Sequence, residues 1–309
     1  MRCPVCAREL EADETRSRLF CPSCGKGMPI VGGVPRFAEE SYVAGFGRQW
    51  NRHDVAREEE DEATFRVKTG IDPRNLAGKL VLDAGCGGGR YALTLSRLGA
   101  RVLGVDLSSA VDKAASLCRN FPETLIVQAD LSRLPLARGC FDVVFSIGVL
   151  HHGPDPRRAF AEIASRVVPG GRLAVWLYRR NSPPQEWLNS GLRALSTRLP
   201  VRVLEPLCAG LGVFGTVPLL NRTLNKIFNF SNHPDRVLRV CDNFDWYAPR
   251  YQSHHTVDEL KRWFSEEGFD DLAVLAPAKF GRFYDWAYRH NLLIGSGVNV
   301  AGTKRGDLR

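Results

Sequence analysis

The stretch KLVLDAGCGGGRYALTLSRLGARVLGVDLS, residues 79 to 108, decides the fold of this chain. It begins and ends with apolar runs of strand length, and a glycine-rich turn and a helical segment lie between them. This order predicts a strand, a tight turn, a helix and a second strand. A glycine turn between a strand and a helix is typical of nucleotide-binding α/β domains, because glycine lets the backbone approach a ligand closely.

The same alternation continues to about residue 178. Its near-continuous apolar runs are typical of parallel strands that are covered on both faces. The runs are LVLDAG, RVLGVDL, TLIVQAD, FDVVFSIG and GRLAVWLY. Asp155 and Pro156 are predicted to begin one helix, and Thr256 with Glu259 a later one. Two last strands, DDLAVLAP and GVNVAGTKR, complete a doubly wound α/β sheet.

The glycine turn discriminates between possible nucleotides. A dinucleotide-binding loop needs a third glycine where this chain has Arg90, and a Walker loop needs a lysine after its last glycine, which this turn does not have. Instead, Asp83 precedes the turn, and glycines occupy positions 85, 87 and 89. This D-x-G-x-G-x-G pattern resembles motif I of the class I S-adenosylmethionine (SAM) methyltransferases.

Further matches to that family follow in its usual order: Asp106 at the end of the second strand, Asp130 in QADLSRLPL, then FDVVFSIGVLHH and RVVPGGRLAV. The resemblance implies a Rossmann-like seven-stranded sheet with its last strand antiparallel, and SAM as the cofactor. It implies that Asp106 binds the two ribose hydroxyls, since a carboxylate accepts two hydrogen bonds at once, and that Asp130 meets the adenine amine. The cofactor-binding residues implied are Asp83, Gly85, Cys86, Gly87, Gly89, Asp106, Leu107, Asp130, Leu131, Ser146 and Trp50.

The N-terminal segment carries two cysteine pairs, Cys3-x2-Cys6 and Cys21-x2-Cys24. Four thiolates at this spacing predict a closed tetrahedral site for a structural Zn²⁺ ion, with no position left for a water. A redox pair is the alternative, but a redox CxxC usually lies at a strand-to-helix junction, which this segment does not contain.

The chain divides into four parts by composition. They are a zinc ribbon (1–37), a helical cofactor-capping segment (38–78), a SAM-binding core (79–180 and 251–309) and a helical insertion that covers the substrate (181–250). The insertion is too long for a plain connection in a compact domain. The N-terminal part resembles a narrower group of methyltransferases, in which a zinc ribbon and an FGRQWN segment precede the core. The resemblance implies that the helix holding Phe46, Gln49 and Trp50 lies over the cofactor; Trp50 packing that helix down is the alternative.

Histidines and aromatic residues near the strand ends are candidates for the acceptor site. His151 and His152 follow the fourth strand, on the side where open α/β sheets bind ligands, and His254 precedes the later helix. Histidine suits a general base near neutral pH, which only a protonated acceptor needs; capping or packing is the alternative role. The residues predicted to line an acceptor pocket, or alternatively to seat the insertion, are Tyr178, Asp245, Trp246, Tyr247, Arg250 and Tyr251.

The composition indicates which partners and which cellular compartment to expect. The net charge of +8 is carried mainly by arginine and favours anionic partners. Five of the nine cysteines are scattered singly, which favours a reducing, cytoplasmic compartment over a disulfide framework. The first ten residues contain no apolar signal-peptide core, and the apolar window 203–220 is interrupted by Glu205, prolines and glycines, so we expect no membrane span.

Three functions fit these observations. We expect methyl transfer from SAM to a small-molecule acceptor, such as a sugar, a natural product or a lipid-like metabolite, by in-line displacement. An RNA methyltransferase is the alternative, favoured by the ribbon and the basic charge but disfavoured by the absence of aromatic and basic alternation in the sequence. A non-catalytic SAM-binding scaffold is the third.

Overall fold

The alternating apolar runs form one seven-stranded sheet in the computed structural model, which describes residues 1–13, 15, 17–40, 42–43, 47, 58–180, 182–217, 229–276, 281–290 and 297–306. The sheet consists of β5 (Leu80–Ala84), β6 (Arg101–Asp106), β7 (Thr124–Gln128), β8 (Phe141–Ile147), β9 (Val167–Tyr178), β10 (Phe269–Val274) and β11 (Gly297–Lys304). Its spatial order is β10-β11-β9-β8-β5-β6-β7.

Strand direction in this sheet confirms the predicted Rossmann-like fold with its antiparallel last strand. β11 runs antiparallel to both β9 and β10, whereas the pairs from β9 through β8, β5 and β6 to β7 are parallel. The chain order reverses where β5 lies between β6 and β8. Open α/β sheets bind ligands beyond the carboxyl ends of the strands at such a reversal.

Both faces of the sheet are buried, as the continuous apolar runs predict. Val143 and Phe145 of β8 belong to one apolar cluster, and Val144 between them belongs to the other. The helices in the described part of the chain are α1 (Glu58–Thr69), α2 (Arg90–Arg97), α3 (Val111–Cys118), α4 (Pro156–Ala164), α5 (Pro183–Ser196), α6 (Val201–Thr216), α7 (Arg236–Tyr247), α8 (Val257–Glu266) and α9 (Gly281–Arg289).

Two predicted helix starts are confirmed. Asp155 accepts a hydrogen bond from the backbone N–H of Arg158 at 2.9 Å before α4. Thr256 accepts one from the backbone N–H of Glu259 at 3.2 Å before α8. Each side chain satisfies a backbone donor that has no partner inside the helix, which fixes where the helix begins.

Helices α5, α6 and α7 lie in the segment predicted as an insertion. Leu204 and Cys208 of α6 pack against Phe244 and Tyr247 of α7 in a small apolar cluster of their own. The described helices include none that is both long and apolar enough to cross a membrane.

The N-terminal segment forms a separate four-stranded antiparallel sheet. Its strands are β1 (Glu11–Asp13), β2 (Arg18–Phe20), β3 (Gly27–Val31) and β4 (Val34–Pro35). After β4, the backbone N–H of Phe37 donates to the carbonyl of Gln128 at 2.8 Å, and Arg36 forms a parallel bridge with Gln128. Because β7 is the edge strand of the main sheet, this contact covers an edge that would otherwise be open.

Helix α1 is fixed to the sheet by one aromatic side chain. Phe65 is fully buried, and its ring meets the ring of Phe145 edge to face at a centroid distance of 5.0 Å. It also lies 6.2 Å from the ring of Tyr91. The position of Phe65 therefore determines where the last turn of α1 lies.

Replacing Phe65 with alanine should lower the free energy of unfolding by about 3–5 kcal/mol, because it removes a buried ring and leaves a cavity under α1. Val67→Ala on the same helix is the matched control: its side chain is 55% exposed, and we expect a change within about 0.5 kcal/mol. Urea unfolding followed by circular dichroism measures both. Equal effects of the two substitutions would contradict the anchoring role of Phe65.

Candidate active site

The glycine turn after β5 adopts a conformation that other residues rarely reach. Gly85, Gly87 and Gly89 have φ angles of 96°, 48° and 87°, in the left-handed region that favours glycine. A Cβ atom at Gly85 would collide with the side chain of Val149, and one at Gly89 would lie 2.8 Å from Cβ of Ala114. The turn therefore brings bare backbone to the edge of the sheet at the reversal point.

Asp106, at the end of β6, holds this turn in place. Its Oδ2 accepts a hydrogen bond from the backbone N–H of Gly87 at 2.9 Å. Its Oδ1 accepts from the backbone N–H and the hydroxyl of Ser108 at 2.8 and 2.7 Å. Burial raises the pKa of the Asp106 carboxyl, although these three hydrogen bonds oppose the rise. Each carboxylate oxygen has lone pairs left, so Asp106 can accept further bonds from ligand hydroxyls.

Asp83 lies behind the turn and is 2% exposed. Its Oδ2 has no hydrogen-bond partner among the residues that the structure describes. Burial, helped by the charge of Asp106, raises the pKa of Asp83 to about 8. A backbone hydrogen bond from Ala92 opposes this rise. The remaining oxygen is a buried acceptor that a ligand cation or donor could satisfy.

A single cavity of about 350 Å³ extends from the glycine turn towards the insertion. Ten of the predicted site residues line it: Gly85, Cys86, Gly87, Asp106, Leu107, Asp130, Leu131, His152, Tyr178 and Asp245. The other described predictions are not among its lining residues: Asp83, Gly89, Ser146, His151, His254, Trp246, Tyr247, Arg250 and Tyr251. Trp50, with Phe46 and Gln49, lies outside the described residues.

Several predicted residues outside the lining support the cavity walls. The Ser146 hydroxyl is fully buried and donates to the carbonyl of Ala84 at 2.7 Å, which ties β8 to the end of β5. The ring of Trp246 stacks on that of Tyr178 with centroids 4.2 Å apart and an interplanar angle of 4°. The ring of Tyr251 meets that of the cavity-lining Tyr42 edge to face at 5.1 Å.

Two further predicted residues make contacts away from the cavity. The hydroxyl of Tyr247 donates to the carbonyl of Asn229 at 2.7 Å. The guanidinium carbon of Arg250 lies 5.5 Å from the centroid of the Tyr251 ring. These contacts hold the end of α7 against its surroundings.

The adjacent histidines His151 and His152 occupy different environments. His151 is fully buried, stacks on Tyr178 at 3.8 Å, and its Nδ1 accepts from the backbone N–H of Tyr178 at 3.3 Å. Burial lowers the pKa of His151 far below its usual value. His152 lines the cavity with its Nδ1 3.4 Å from the carbonyl oxygen of Tyr251, and burial lowers its pKa to about 3. Both rings are therefore neutral at physiological pH.

His254 lies on the insertion side of Tyr178. Its Nδ1 is 2.5 Å from Oε2 of Glu186 in α5. Its ring centroid lies 6.1 Å from that of Tyr178 and 6.0 Å from that of Trp246. His254 thus reaches the cavity only through these aromatic rings.

Sequence reasoning missed one end of the cavity. That end is lined by residues from four separate elements: Lys68, Arg90, Tyr91, Trp176 and Asp242. Tyr42, which lies near Asp106 and Asp130, was also missed. Arg90 was visible only as a departure from the dinucleotide motif, and Lys68 occurs in an ordinary helical pattern. Asp245, noted in the sequence beside Trp246, does line the cavity.

The four N-terminal cysteines form a compact cluster. All four Sγ atoms lie within 4.8 Å of one another. Cys3 and Cys24 are 3.6 Å apart, and Cys6 and Cys21 are 3.4 Å apart. A tetrahedral ion with sulfur ligands at about 2.3 Å needs sulfur–sulfur distances slightly below 4 Å. The cluster could therefore hold such an ion and leave no open coordination position.

The strand end that follows this cluster reaches the cofactor side of the cavity. Arg36 donates from Nη1 to Oε1 of Gln128 at 3.0 Å, and Gln128 donates from Nε2 to the carbonyl of Leu107 at 2.9 Å. Glu40 accepts from the backbone N–H of Ser109 at 2.9 Å. The backbone next to Asp106 is therefore fixed from the N-terminal side.

Comparison with known proteins agrees with this geometry. Residues 82–175 match the family described as a methyltransferase domain. The ubiquinone biosynthesis O-methyltransferase of Nitrosococcus oceani is 33% identical over 145 residues, which make up 46% of this chain and 60% of that protein. The enzyme of the same name from Cupriavidus pinatubonensis is 39% identical over 113 residues, 34% of this chain and 44% of that protein. These alignments span between 44% and 60% of the length of those two curated relatives.

A solved structure supports the fold. A chain from a complex that contains the Haloferax volcanii Trm112 methyltransferase activator superposes with a TM-score of 0.51 at 15% identity. The match covers 88% of this chain and 99% of that chain. It supports the fold, and the family match covers the region in which the methyltransferase motifs were recognised.

Substitution of Asp106 with alanine should weaken SAM binding by about 10- to 100-fold, because hydrogen bonds to a charged group contribute about 1.5–3 kcal/mol. Isothermal titration calorimetry measures the affinity. Glu123→Ala is the matched control, since this carboxylate forms an exposed ion pair with Arg101 at the opposite end of β6. Unchanged affinity in Asp106→Ala would contradict the assignment of the ribose site.

Proposed function

We propose that this chain, whose residues 82–175 belong to the methyltransferase-domain family, transfers the methyl group of SAM to a small-molecule acceptor. The observation that carries the proposal is the continuous cavity, which joins the glycine turn to an aromatic wall. Its volume of about 350 Å³, which includes the cofactor end, lies in the range of small-molecule sites. The insertion helix α7 contributes Asp242 and Asp245 to the far side, so a bound acceptor is partly enclosed.

The cofactor end would be held by the residues that the family resemblance implies. Asp106 would bind the ribose hydroxyls, and Asp130 with Leu131 would contact the adenine. Asp83 would balance the positive charge of the methionine end, and Gly85 and Gly87 would let the backbone approach it. Cys86, Gly89, Leu107, Ser146 and Trp50 complete the proposed cofactor set.

The sulfonium of bound SAM supplies a methyl group that is already activated. The residues of the chain then have to align an acceptor behind that methyl and keep water out. Trp176 and Tyr178 give the acceptor end an aromatic wall, to which Tyr178 presents its edge because His151 and Trp246 stack on its two faces. His152 lines the same space as a neutral imidazole and can hydrogen-bond an acceptor.

The methyl acceptor atom is proposed to be oxygen. The curated relatives are named as ubiquinone biosynthesis O-methyltransferases, and the matched region contains the glycine turn and the fourth-strand motif. A hydroxyl on a flat acceptor would be compatible with the mixture of aromatic and polar side chains at this end of the cavity.

Incubation of the purified chain with methyl-tritiated SAM and fractionated cell extract tests the function. We expect label to enter the small-molecule fraction, and Asp106→Ala to abolish that incorporation at a SAM concentration below saturation. Label confined to RNA would replace this proposal with an RNA methyltransferase. SAM binding without label in any fraction would replace it with a non-catalytic SAM-binding protein.

We also propose that Cys3, Cys6, Cys21 and Cys24 bind one structural Zn²⁺ ion. The support is the cluster of four sulfurs at tetrahedral spacing. Purified protein should retain about one zinc per chain after dialysis, as a site with four thiolates predicts. Cys21→Ser should lose the metal and lower the melting temperature, whereas Cys140→Ser, outside the cluster, should retain the metal. Metal-free wild-type protein of unchanged stability would overturn the assignment.

A further inference from the structure

Lys68 brings an amine into the acceptor end of the cavity. It lies in the last turn of α1, is half-buried, and lines the cavity together with Trp176. Its Nζ lies 4.2 Å from the centroid of the Trp176 ring. The anchor of this helix is Phe65, one turn earlier, and Thr69 closes the helix by donating to the carbonyl of Phe65 at 2.7 Å. The geometry of α1 therefore directs this side chain at the indole.

The indole connects Lys68 to the reacting end of the cavity. A Cβ atom at Gly148 would lie 3.5 Å from the Trp176 ring, so the indole covers the end of β8. The next residue, Val149, packs directly against Gly85 in the glycine turn. Lys68 thus faces the junction between the acceptor end and the cofactor end.

Among the described residues, Lys68 forms no ion pair. The neighbouring Arg90 pairs with Asp61, with Nε and Oδ1 3.4 Å apart. Burial, together with the positive charge of Arg90, lowers the pKa of Lys68 to about 8, and Asp242 opposes that change. The charged and titratable groups that line this end are Arg90, Asp242, Asp245 and His152, with the phenols of Tyr91 and Tyr178. Asp61 and His151 lie behind the lining, where Asp61 pairs with Arg90 and His151 interacts with the charge of Lys68.

The neighbouring histidines are poorly suited to accept a proton. Burial lowers the pKa of His152 to about 3 and that of His151 far below its usual value. His151 also uses Nδ1 to accept from a backbone N–H, so its Nε2 carries the proton in the neutral ring. A base is most effective when its pKa lies near the working pH, which favours the amine over either imidazole.

We propose that Lys68 is the general base that takes the proton from the acceptor hydroxyl, a role that rests on the methyl transfer proposed above. The neutral amine at Nζ accepts the hydroxyl proton and becomes an ammonium ion. The electron pair of the oxygen forms the new bond to the methyl carbon as the carbon–sulfur electron pair returns to sulfur. The products are the methyl ether, the thioether of the spent cofactor and an ammonium that rests on the Trp176 face.

The direction of the pH dependence follows from this role. Lys68 acts as a base only when neutral, and its lowered pKa of about 8 places the loss of its proton just above neutral pH. The methyl transfer rate at saturating substrates should therefore rise with pH and level off above about pH 8.

Two substitutions distinguish a Lys68 that acts as a general base from a Lys68 that only supplies a positive charge. Lys68→Arg keeps a cation beside the indole but cannot release its proton, and Lys68→Met removes the charge while keeping an apolar stem. Both substitutions should lower the methyl transfer rate by about 100-fold or more. The affinity for S-adenosylhomocysteine should stay within a factor of about three of the wild-type value. Calorimetry with S-adenosylhomocysteine and no acceptor measures that affinity. Lys79→Met, a lysine on the surface at 55% side-chain exposure, is the matched control.

A measurement that needs no acceptor completes the test. Trace acetylation with acetic anhydride at a series of pH values, followed by peptide mass spectrometry, gives the titration midpoint of Lys68 in the folded protein. A midpoint near pH 8 supports the proposal, whereas a midpoint at or above about 10, that of an ordinary lysine, overturns it.

The transfer assay supplies the remaining outcomes. If Lys68→Arg transfers methyl groups at the wild-type rate, Lys68 is not the general base, and its positive charge instead pairs with an anionic group. Wild-type protein that methylates no fraction of the extract would overturn the proposed function, and this role with it. If the wild-type protein transfers methyl groups and Lys68→Arg does so slowly, the results support both the proposed function and the role of Lys68 as the base.

Discussion

The hydrogen bond from the backbone N–H of Gly87 to the carboxylate of Asp106 joins the two strand ends on which the cofactor site depends. It closes a turn whose glycines have left-handed φ angles. The bond satisfies the N–H of the half-buried Gly87, which has no partner in a strand ladder at this edge of the sheet. Because β5 and β6 are neighbours at the reversal of strand order, one carboxylate can fix the turn and still face a ligand.

This arrangement explains why the cofactor end could be predicted from the sequence. The glycine spacing, Asp106 and Asp130 all lie at or just beyond ends of parallel strands, and such strands end at one edge of a sheet. Local sequence therefore sets both the conformation and the position of these residues. The four cysteines were predictable for a similar reason, since a two-residue spacer brings each pair together whatever the rest of the chain does.

The acceptor end could not be read in the same way, because it forms where separate elements meet. Lys68, Trp176 and Asp242 come from α1, β9 and α7, which are far apart in the sequence. None of them carries a local signal of its role. Their placement depends on tertiary packing, such as the contact between Phe65 and Phe145 that seats α1.

In the segment around Trp246, too, the sequence does not show which residues line the cavity. Asp242 and Asp245 are three residues apart, so they share a face of α7, and that face lines the cavity. Trp246 lies one residue further on and stacks on Tyr178 from behind. The composition of this segment predicted a pocket, but the tertiary contact of Trp246 with Tyr178, which the sequence does not show, separates this supporting residue from the two aspartates that line the pocket.

The N-terminal sheet and the core are joined through the same cofactor loop. Arg36 donates to Gln128, and Gln128 donates to the carbonyl of Leu107, next to Asp106. The Gln128 side chain thus links the Arg36 side chain to the backbone at Leu107, so fewer conformations of the loop compete with the one that faces the ligand. Arg36 directly follows β4, which pairs with β3 in the N-terminal sheet. A role for the N-terminal sheet in shaping the loop therefore requires no contact between the sheet and the ligand.

The charges at the acceptor end form a consistent set. Arg90 is compensated by Asp61, and both histidines are neutral because burial disfavours their charged forms. Lys68 itself contributes to the low pKa of His151, since two positive charges would repel each other in a poorly hydrated space. A proton that enters this space from an acceptor hydroxyl is thus more stable on the amine than on either imidazole. The face of Trp176 stabilises the resulting ammonium without neutralising it, so the proton can leave again once the product has gone.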